Sequence, residues 1–166
     1  MRYADANAVQ RLFRNAASTP KLARFFSRVL YRLDRPAGRL TGGRTNLTAL
    51  LTGLPIVELT TTGARTGLPR TMPIVGIPDG DRLVLVASYY GSPRHPAWYH
   101  NLRAHPDCTV RLRGEERRMR AYEAEGEERD RLWQLDLTVY PTRARYAEWA
   151  PGRRIPVMVL EPAASS

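Results

Sequence analysis

The 166-residue sequence predicts a mainly β fold, a six-stranded antiparallel barrel with added helices. From Pro55 onward, six short β-prone segments follow one another, most of them joined by tight turns that contain glycine. Helical periodicity is confined to the N-terminal part and to short segments late in the chain. The apolar content of 43% is enough for one core of ordinary size. These observations favour one barrel domain with a helical appendage.

The N-terminal part of the chain is predicted to be helical. Residues 5–17 form a first segment, and Pro20 restarts a second one that ends near Arg35. The second segment is amphipathic, with apolar residues on one face and cations on the other. The apolar residues are Leu22, Phe25, Phe26, Val29, Leu30 and Leu33, and the cations are Lys21, Arg24, Arg28, Arg32 and Arg35. Residues 36–46 are glycine-rich and basic, so we divide the chain into an N-terminal arm with its linker (1–45) and a barrel domain (46–166).

The barrel strands are predicted from β-prone segments that end at turn residues. They are residues 56–62, 70–78, 82–88, 108–114, 116–125 and 154–162. The sequence DGD at 79–81 is typical of a tight hairpin turn, and Gly114 marks a second hairpin. A helix over 126–140 is indicated by its acidic first turn, and Pro141 begins a short helix that reaches about Trp149.

Charge and cysteine content restrict the classes of function. The net charge of +10 favours an anionic partner, although a basic chain alone does not say which one. The arginines are dispersed, and no recognised nucleic-acid module is present, so we expect no nucleic-acid partner. A single cysteine, Cys108, excludes an internal disulfide and a cysteine-cluster metal site, and His95, His100 and His105 have no metal-binding spacing. Without a long apolar span or a signal-like N-terminus, the chain is expected to be cytoplasmic.

The sequence TTTGARTGLPR at 60–70 is a first candidate site. It is a glycine-bounded loop between two predicted strands, with Arg65 and Arg70 beside the hydroxyl of Thr66. Such a loop can direct backbone N–H groups at an anion, and charge-assisted hydrogen bonds to a phosphate are strong. It is equally typical of a hairpin loop whose arginines are solvated. The loop alone does not decide between the two.

The sequence YYGSPRHPAWYHNL at 89–102 is the second candidate site. Arg94 and His95 precede a predicted helix start at Pro96, which is a favourable place for a phosphate or carboxylate. Trp98 and Asn101 lie on one face of that helix. Trp98 either forms a wall against a flat ring or packs into the core. Ser88, Tyr89 and Tyr90 end the preceding strand, where the barrel opens.

Several of these motifs together resemble the deazaflavin-dependent nitroreductase family of actinobacterial split β-barrel oxidoreductases. They are LTTTGARTGLPRTMPIVGIPDGDRLVLVAS, GSPRHPAWYHNL, HPDCTV, LW followed by VYP, and RIPVMVLEP, in order from about Leu54 to Pro162. The resemblance implies a split β-barrel similar to FMN-binding proteins. It also implies coenzyme F420, an 8-hydroxy-5-deazaflavin with a phosphate and an oligoglutamate tail. The implied reaction is hydride transfer from reduced F420 to a quinone, an enone or a nitro compound.

The resemblance also implies roles for individual residues. The anionic tail would contact Arg65, Thr66 and Arg70, and the deazaflavin would lie along Met72 and Pro73. The remaining cofactor-binding positions are Ala87, Ser88 and Tyr89 near the ring, and Arg94, His95, Trp98 and Asn101 at the helix start. Ser88, Tyr140 and Tyr146 would act on the substrate, with Ser88 and Tyr140 as candidates to orient it or donate a proton. Arg143 replaces a third substrate-side tyrosine, which leaves the choice of acceptor open.

Two further questions stay open at the level of sequence. The protein is expected to be an enzyme, and the alternative is a non-catalytic binder of F420 or of a related flavin or haem-type cofactor. The amphipathic segment 20–35 would lie on the inner face of the plasma membrane, cover the barrel, or contact a second copy in a homodimer.

Overall fold

The structure is a computed structural model, and it describes residues 53–163 apart from residues 113 and 151. The predicted helices within residues 5–35 and the predicted linker lie outside the described residues. Within residues 53–163, no helix combines the length and apolar character needed to cross a bilayer.

Seven strands and three helices make up the described part of the chain. The strands are β1 (Ile56–Thr62), β2 (Pro69–Val75), β3 (Ile77–Asp79), β4 (Arg82–Val86), β5 (Asp107–Leu112), β6 (Glu115–Glu123) and β7 (Val157–Pro162). The helices are α1 (Ala97–Ala104), α2 (Gly126–Val139) and α3 (Arg143–Glu148), and a 3₁₀ turn covers Tyr89–Gly91. The mainly β barrel is therefore confirmed, together with the helices predicted near 126–140 and after Pro141.

The strand count differs from the prediction because Gly76 divides the segment 70–78 into β2 and β3. Gly76 is buried, and its N–H donates to the Pro55 carbonyl at 2.9 Å, which extends the β1–β2 register by one residue before the chain enters β3. A Cβ at this position would lie 3.1 Å from Val57 Cγ2, so a side chain would be crowded where the chain passes from β2 to β3.

The seven strands form one antiparallel sheet in the order β2-β1-β5-β6-β7-β4-β3. β2 and β3 are the first and last strands of that order, yet one residue joins them. The sheet must therefore curl until its two edges meet at Gly76, which gives a split barrel.

The inner face of the sheet encloses the larger core. Burial alternates along β1, with Val57, Leu59 and Thr61 inward, as period-2 patterning requires. Trp98 and Leu102 of α1 belong to the same apolar cluster, so α1 covers one end of the barrel interior. On the outer side, α2 and α3 pack against the other faces of β4 and β7, which explains why both faces of these strands are buried.

Candidate functional site

Asn101 joins the two segments that the sequence singled out. Its Oδ1 accepts a hydrogen bond from the Ala64 N–H at 3.0 Å, and its Nδ2 donates to Thr61 Oγ1 at 3.0 Å. Asn101 is itself buried on α1, so these bonds are shielded from water. The β1–β2 turn that carries Arg65 is therefore fixed against the helix that follows Arg94.

The β1–β2 turn does not form the anion nest that the sequence suggested. The N–H groups of Thr66 and Gly67 both donate to the Gly63 carbonyl, at 3.2 and 2.8 Å, and the Gly63 N–H donates to the Leu68 carbonyl at 2.9 Å. Since the Ala64 N–H is bound by Asn101, most backbone donors of the turn are already used. Binding of an anion here would depend on the arginine side chains.

Arg65, Arg70 and Arg94 supply the positive charge of this region. All three are exposed, and none forms an ion pair with another residue of the described chain. The sequence has no acidic residue between Glu58 and Asp79, and none between Asp81 and Asp107. The two segments that meet at Asn101 are thus free of negative side chains, which favours an anionic ligand.

The turn after β4 has an unusual backbone. Tyr89, Tyr90 and Gly91 have φ values of 44°, 53° and 68°, all in the left-handed region. For a non-glycine residue such a conformation costs about 1–3 kcal/mol and persists only where the surroundings impose it. Here a Cβ on Gly91 would lie 2.7 Å from Trp149 Cβ, so the turn is pressed against the end of α3. Tyr89 remains about half exposed at the barrel mouth.

Arg153 is a residue of this region that the sequence analysis missed. Its Nη1 donates to the Ala87 carbonyl at 3.1 Å, and its Nη2 donates to the Ser88 carbonyl at 2.7 Å. Nη1 also lies 2.9 Å from Nδ1 of His95. In the sequence, Arg153 and Arg154 precede the last strand as an ordinary basic pair, and no local pattern distinguishes them.

His95 is not a second cation at the start of α1. Burial lowers the pKa of His95, and the nearby charge of Arg153 lowers it further. The imidazole is therefore uncharged at neutral pH, and the positive charge expected before the helix comes from Arg94.

Two tyrosines, Tyr140 at the end of α2 and Tyr146 in α3, form the second part of the candidate site. The hydroxyl groups of Tyr140 and Tyr146 are 3.1 Å apart, and their rings meet edge to face. Tyr146 is almost completely buried, which raises its pKa well above the usual value for a phenol. Tyr146 therefore stays protonated at neutral pH, and its hydroxyl forms a hydrogen-bonded pair with that of Tyr140.

Arg143, which stands where the resemblance expects a third tyrosine, points into the protein. It is 4% exposed, its Nη1 donates to the Val86 carbonyl at 3.1 Å, and its Nε lies 3.4 Å from Asp136 Oδ2. Its guanidinium also lies 5.2 Å from the centre of the Tyr140 ring. Arg143 therefore packs against the ring of Tyr140 from the interior of the protein.

The predicted site residues fall into two groups that the turn at 88–91 connects. One group surrounds the β1–β2 turn and α1, and the other consists of Tyr140 and Tyr146. Arg153 links Ser88 to His95 by hydrogen bonds. The rings of Tyr90 and Tyr146 pack edge to face, with their centres 5.8 Å apart.

The remaining predicted residues line the barrel or fill it. Met72 and Pro73 are half-buried on β2, opposite Leu59 and Glu58 of β1. Ala87 and Trp98 are both packed in the barrel core, so of the two alternatives for Trp98 the structure favours the core.

Comparison with known proteins assigns the chain to a family. The family model described as F420H(2)-dependent quinone reductase matches residues 30–162. The chain belongs to this family. Its description names reduced F420 as the reductant, so the predictions of a reductase and of coenzyme F420 are confirmed at the level of the family.

Individual relatives agree with this assignment. An F420H(2)-dependent quinone reductase of Mycobacterium tuberculosis is 38% identical over 108 residues, which cover 64% of this chain and 72% of that protein. The solved structure of an F420-H2 dependent reductase, FDR-A, is 39% identical, has a TM-score of 0.60, and is matched over 94% of its length and 64% of this chain. A second solved structure, described as a domain-swapped dimer, is 34% identical with a TM-score of 0.63 and is matched over 96% of its length and 78% of this chain. The split-barrel fold and an actinobacterial relationship are thereby confirmed, and the matches favour an enzyme over the non-catalytic alternative.

Proposed function

We propose that this protein binds reduced coenzyme F420 across the barrel mouth and transfers a hydride from it to a quinone. The observation that carries the proposal is the junction at Asn101, which fixes Arg65 and Arg94 on two adjacent segments free of acidic residues. Enones and nitro compounds are further candidate acceptors, since both can also accept a hydride.

The chain offers what this cofactor needs. Its phosphate and oligoglutamate tail are anionic, and Arg65, Arg70 and Arg94 have no acidic partner in the described chain that would compete with them. Thr66 adds a hydroxyl beside these arginines. For the planar part, the candidate contacts are Met72 and Pro73 on β2 and Ser88 and Tyr89 after β4. Closure of the barrel brings β2 and β4 together, and Ala87 lies behind these residues in the core.

The protein's own contribution is to position the reactants and to supply a proton. When bound, the cofactor supplies the hydride. Reduction of a quinone carbonyl also requires a proton at oxygen, and Tyr140 is our candidate to donate it, with later reprotonation from water. Tyr146 lies within hydrogen-bonding distance of the Tyr140 hydroxyl and orients it, while Ser88 is a candidate to orient the acceptor.

The binding step is tested by titrating F420 into the purified protein and into single variants. We expect Arg65→Ala and Arg94→Ala each to weaken binding by about 10- to 100-fold, because each removes a charge-assisted hydrogen bond worth about 1.5–3 kcal/mol. Arg118→Ala is the matched control, since Arg118 is an exposed arginine on β6 without an ion pair in the described chain. Equal losses in all three variants would show only a general effect of charge and would contradict the proposed site.

The reaction is tested by following the oxidation of reduced F420 with menadione as acceptor. Turnover that depends on both reactants is expected. Saturable binding of F420 without turnover of any quinone, enone or nitroarene would overturn the proposed reaction, and preference for FMN would overturn the cofactor.

Two further proposals concern the assembly and the location of the protein. We propose a homodimer because a similar solved structure is described as a domain-swapped dimer, and light scattering would measure the mass in solution. We also propose that the protein is cytoplasmic, with residues 20–35 either on the inner face of the plasma membrane or packed against the barrel or a second copy. This segment lies outside the described residues, and flotation with anionic liposomes is the direct test.

A further inference from the structure

Arg153 organises the barrel mouth although it is not among the predicted site residues. We propose that Arg153 is a positioning residue for the cofactor site, which holds the turn at 88–91 and fixes the ring proton of His95 on Nε2. The inference rests on the proposed function, because it names a residue that prepares that same site.

The position of the proton on His95 follows from the chemistry of its neighbour. A guanidinium is always protonated, and it can donate hydrogen bonds but cannot accept them. Since Arg153 Nη1 lies 2.9 Å from His95 Nδ1, Nδ1 must be the acceptor and therefore carries no proton. The neutral ring then has its proton on Nε2.

The groups around His95 keep the ring in this form. Burial and the charge of Arg153 are the two largest influences, and His100 and Arg103 act in the same direction to lower the pKa. Glu123 opposes them, but its carboxylate is already bound by the Tyr99 hydroxyl at 2.9 Å. The positive neighbours therefore outweigh the one acidic group that faces the ring.

Arg153 also fixes the turn whose backbone is left-handed. The Ser88 carbonyl accepts the Gly91 N–H within the turn at 3.1 Å and Arg153 Nη2 from outside it at 2.7 Å. Nη1 of the same guanidinium donates a hydrogen bond to the Ala87 carbonyl. Without Arg153, the chain that enters the turn would lose two hydrogen bonds, one at Ala87 and one at Ser88.

These contacts leave one donor available for a ligand. No residue of the described chain accepts a hydrogen bond from His95 Nε2, and the ring is only partly buried. The donor is neutral, so it would suit an acceptor oxygen or nitrogen of the bound deazaflavin or its linker. Arg153 would act on the cofactor through His95 and through Ser88.

The first experiment examines His95 without any cofactor. Long-range ¹H–¹⁵N spectra of the labelled protein report the tautomer and the titration of each histidine, with His100 as an internal comparison. We expect His95 to carry its proton on Nε2 at neutral pH and to titrate below an ordinary histidine. A ring proton on Nδ1, or a charged His95 at neutral pH, would overturn the inference even if the protein binds F420.

The second experiment compares Arg153→Gln, Arg153→Lys and the neighbouring control Arg154→Gln in F420 titrations at several pH values. We expect Arg153→Gln to weaken binding about tenfold, consistent with loss of hydrogen bonds to a charged group, and to make binding depend on pH between about 5 and 8 as His95 begins to titrate. Arg153→Lys keeps the charge but not the planar group that binds two carbonyls, so it should weaken binding several-fold. Arg154→Gln should stay within about twofold of the unchanged protein.

The outcomes separate this inference from the proposed function. Equal effects of Arg153→Gln and Arg154→Gln, or full affinity in Arg153→Lys, would overturn the positioning role. Absence of F420 binding by the unchanged protein would overturn the proposed function, and the histidine spectra would still decide the state of His95. Circular dichroism identifies a variant that fails to fold, and in that case Arg153→Lys and the spectra of the unchanged protein carry the test.

Discussion

At the scale of single residues, Tyr146 shows how burial prepares a group for proton chemistry. Its ring is 1% exposed and contacts Tyr90, Tyr140 and Trp149, and its raised pKa keeps the hydroxyl protonated. A buried hydroxyl usually needs a partner, and here the partner is the Tyr140 hydroxyl. The half-buried Tyr140 is thus held in one orientation by a neighbour that does not itself ionise.

We predict that Tyr146→Phe lowers kcat for menadione about tenfold, because Tyr140 loses the hydrogen bond that orients it. Tyr140→Phe should lower kcat more, by about 100-fold, since it removes the proposed proton donor. Both variants should bind F420 within about twofold of the unchanged protein. Steady-state kinetics separates kcat from KM, and a loss confined to KM would contradict these roles.

From the residues alone, the sequence could propose candidate anion-binding residues only where neighbours along the chain formed a recognisable motif. Arg65 and Arg94 lie in contiguous motifs, and the structure brings their segments together at Asn101. Arg153 is separated from His95 by 58 positions, and its contact arises from the return of β7 beside β4. The choice between an anion nest and an ordinary hairpin loop could not be made from the sequence, because it depends on the turn using most of its backbone donors within itself.

At the scale of elements, a buried ion pair joins α2 to α3. Asp136 is fully buried, and neither of its carboxylate oxygens has a hydrogen-bond partner in the described chain. Its stabilising neighbour is Arg143, which also donates to Val86 at the end of β4. Burial raises the pKa of Asp136, and the charge of Arg143 opposes that rise.

We predict that Arg143→Met destabilises the protein by about 3–5 kcal/mol near neutral pH, because it leaves a buried carboxylate unpaired. The pKa of Asp136 in the folded state would then rise further above its unfolded value. An acidic group whose pKa is higher in the folded state than in the unfolded state favours folding while it is protonated. This contribution is complete below the unfolded-state pKa and is lost as the pH rises through the folded-state pKa. The destabilisation should therefore be smaller at about pH 4 than at about pH 7.

Urea unfolding at both pH values measures this difference. The double variant Asp136→Leu with Arg143→Met removes both charges and should recover much of the stability, because the buried charge is gone. A double variant as unstable as Arg143→Met alone, or a loss that does not change with pH, would contradict the argument.

The predicted elements that matched best were those with clear local patterns. The alternating segment 56–62 is β1 with the same bounds, and the helix with the acidic first turn is α2. The segment 70–78 also has a continuous β pattern, and nothing in it shows that its two halves pair with different strands. The break falls at Gly76, where the backbone passes close to Val57, a residue distant along the chain.

At the scale of the whole molecule, barrel closure assembles the site. β2 carries Arg70 and Met72 at one edge of the sheet, and β4, beside the other edge, leads into Ala87 and Ser88. The two edges meet because Gly76 lets the chain pass from β2 to β3 in one residue. The juxtaposition of these candidate site residues therefore depends on a position that has no side chain.

We predict that Gly76→Val destabilises the protein by about 1–3 kcal/mol, since a Cβ would already lie 3.1 Å from Val57 Cγ2 and 3.6 Å from Leu85 Cδ2. Val57→Ala removes the nearest obstructing atoms, so Gly76→Val should cost less in that background. Urea unfolding of the single and double variants gives the coupling energy between the two positions. Additive effects would show that the cost of a side chain at 76 does not come from the contact with Val57.

The same variant tests whether closure of the barrel positions the proposed cofactor site. Gly76→Val should weaken F420 binding under conditions where the variant is fully folded, and the Val57→Ala background should restore part of that affinity.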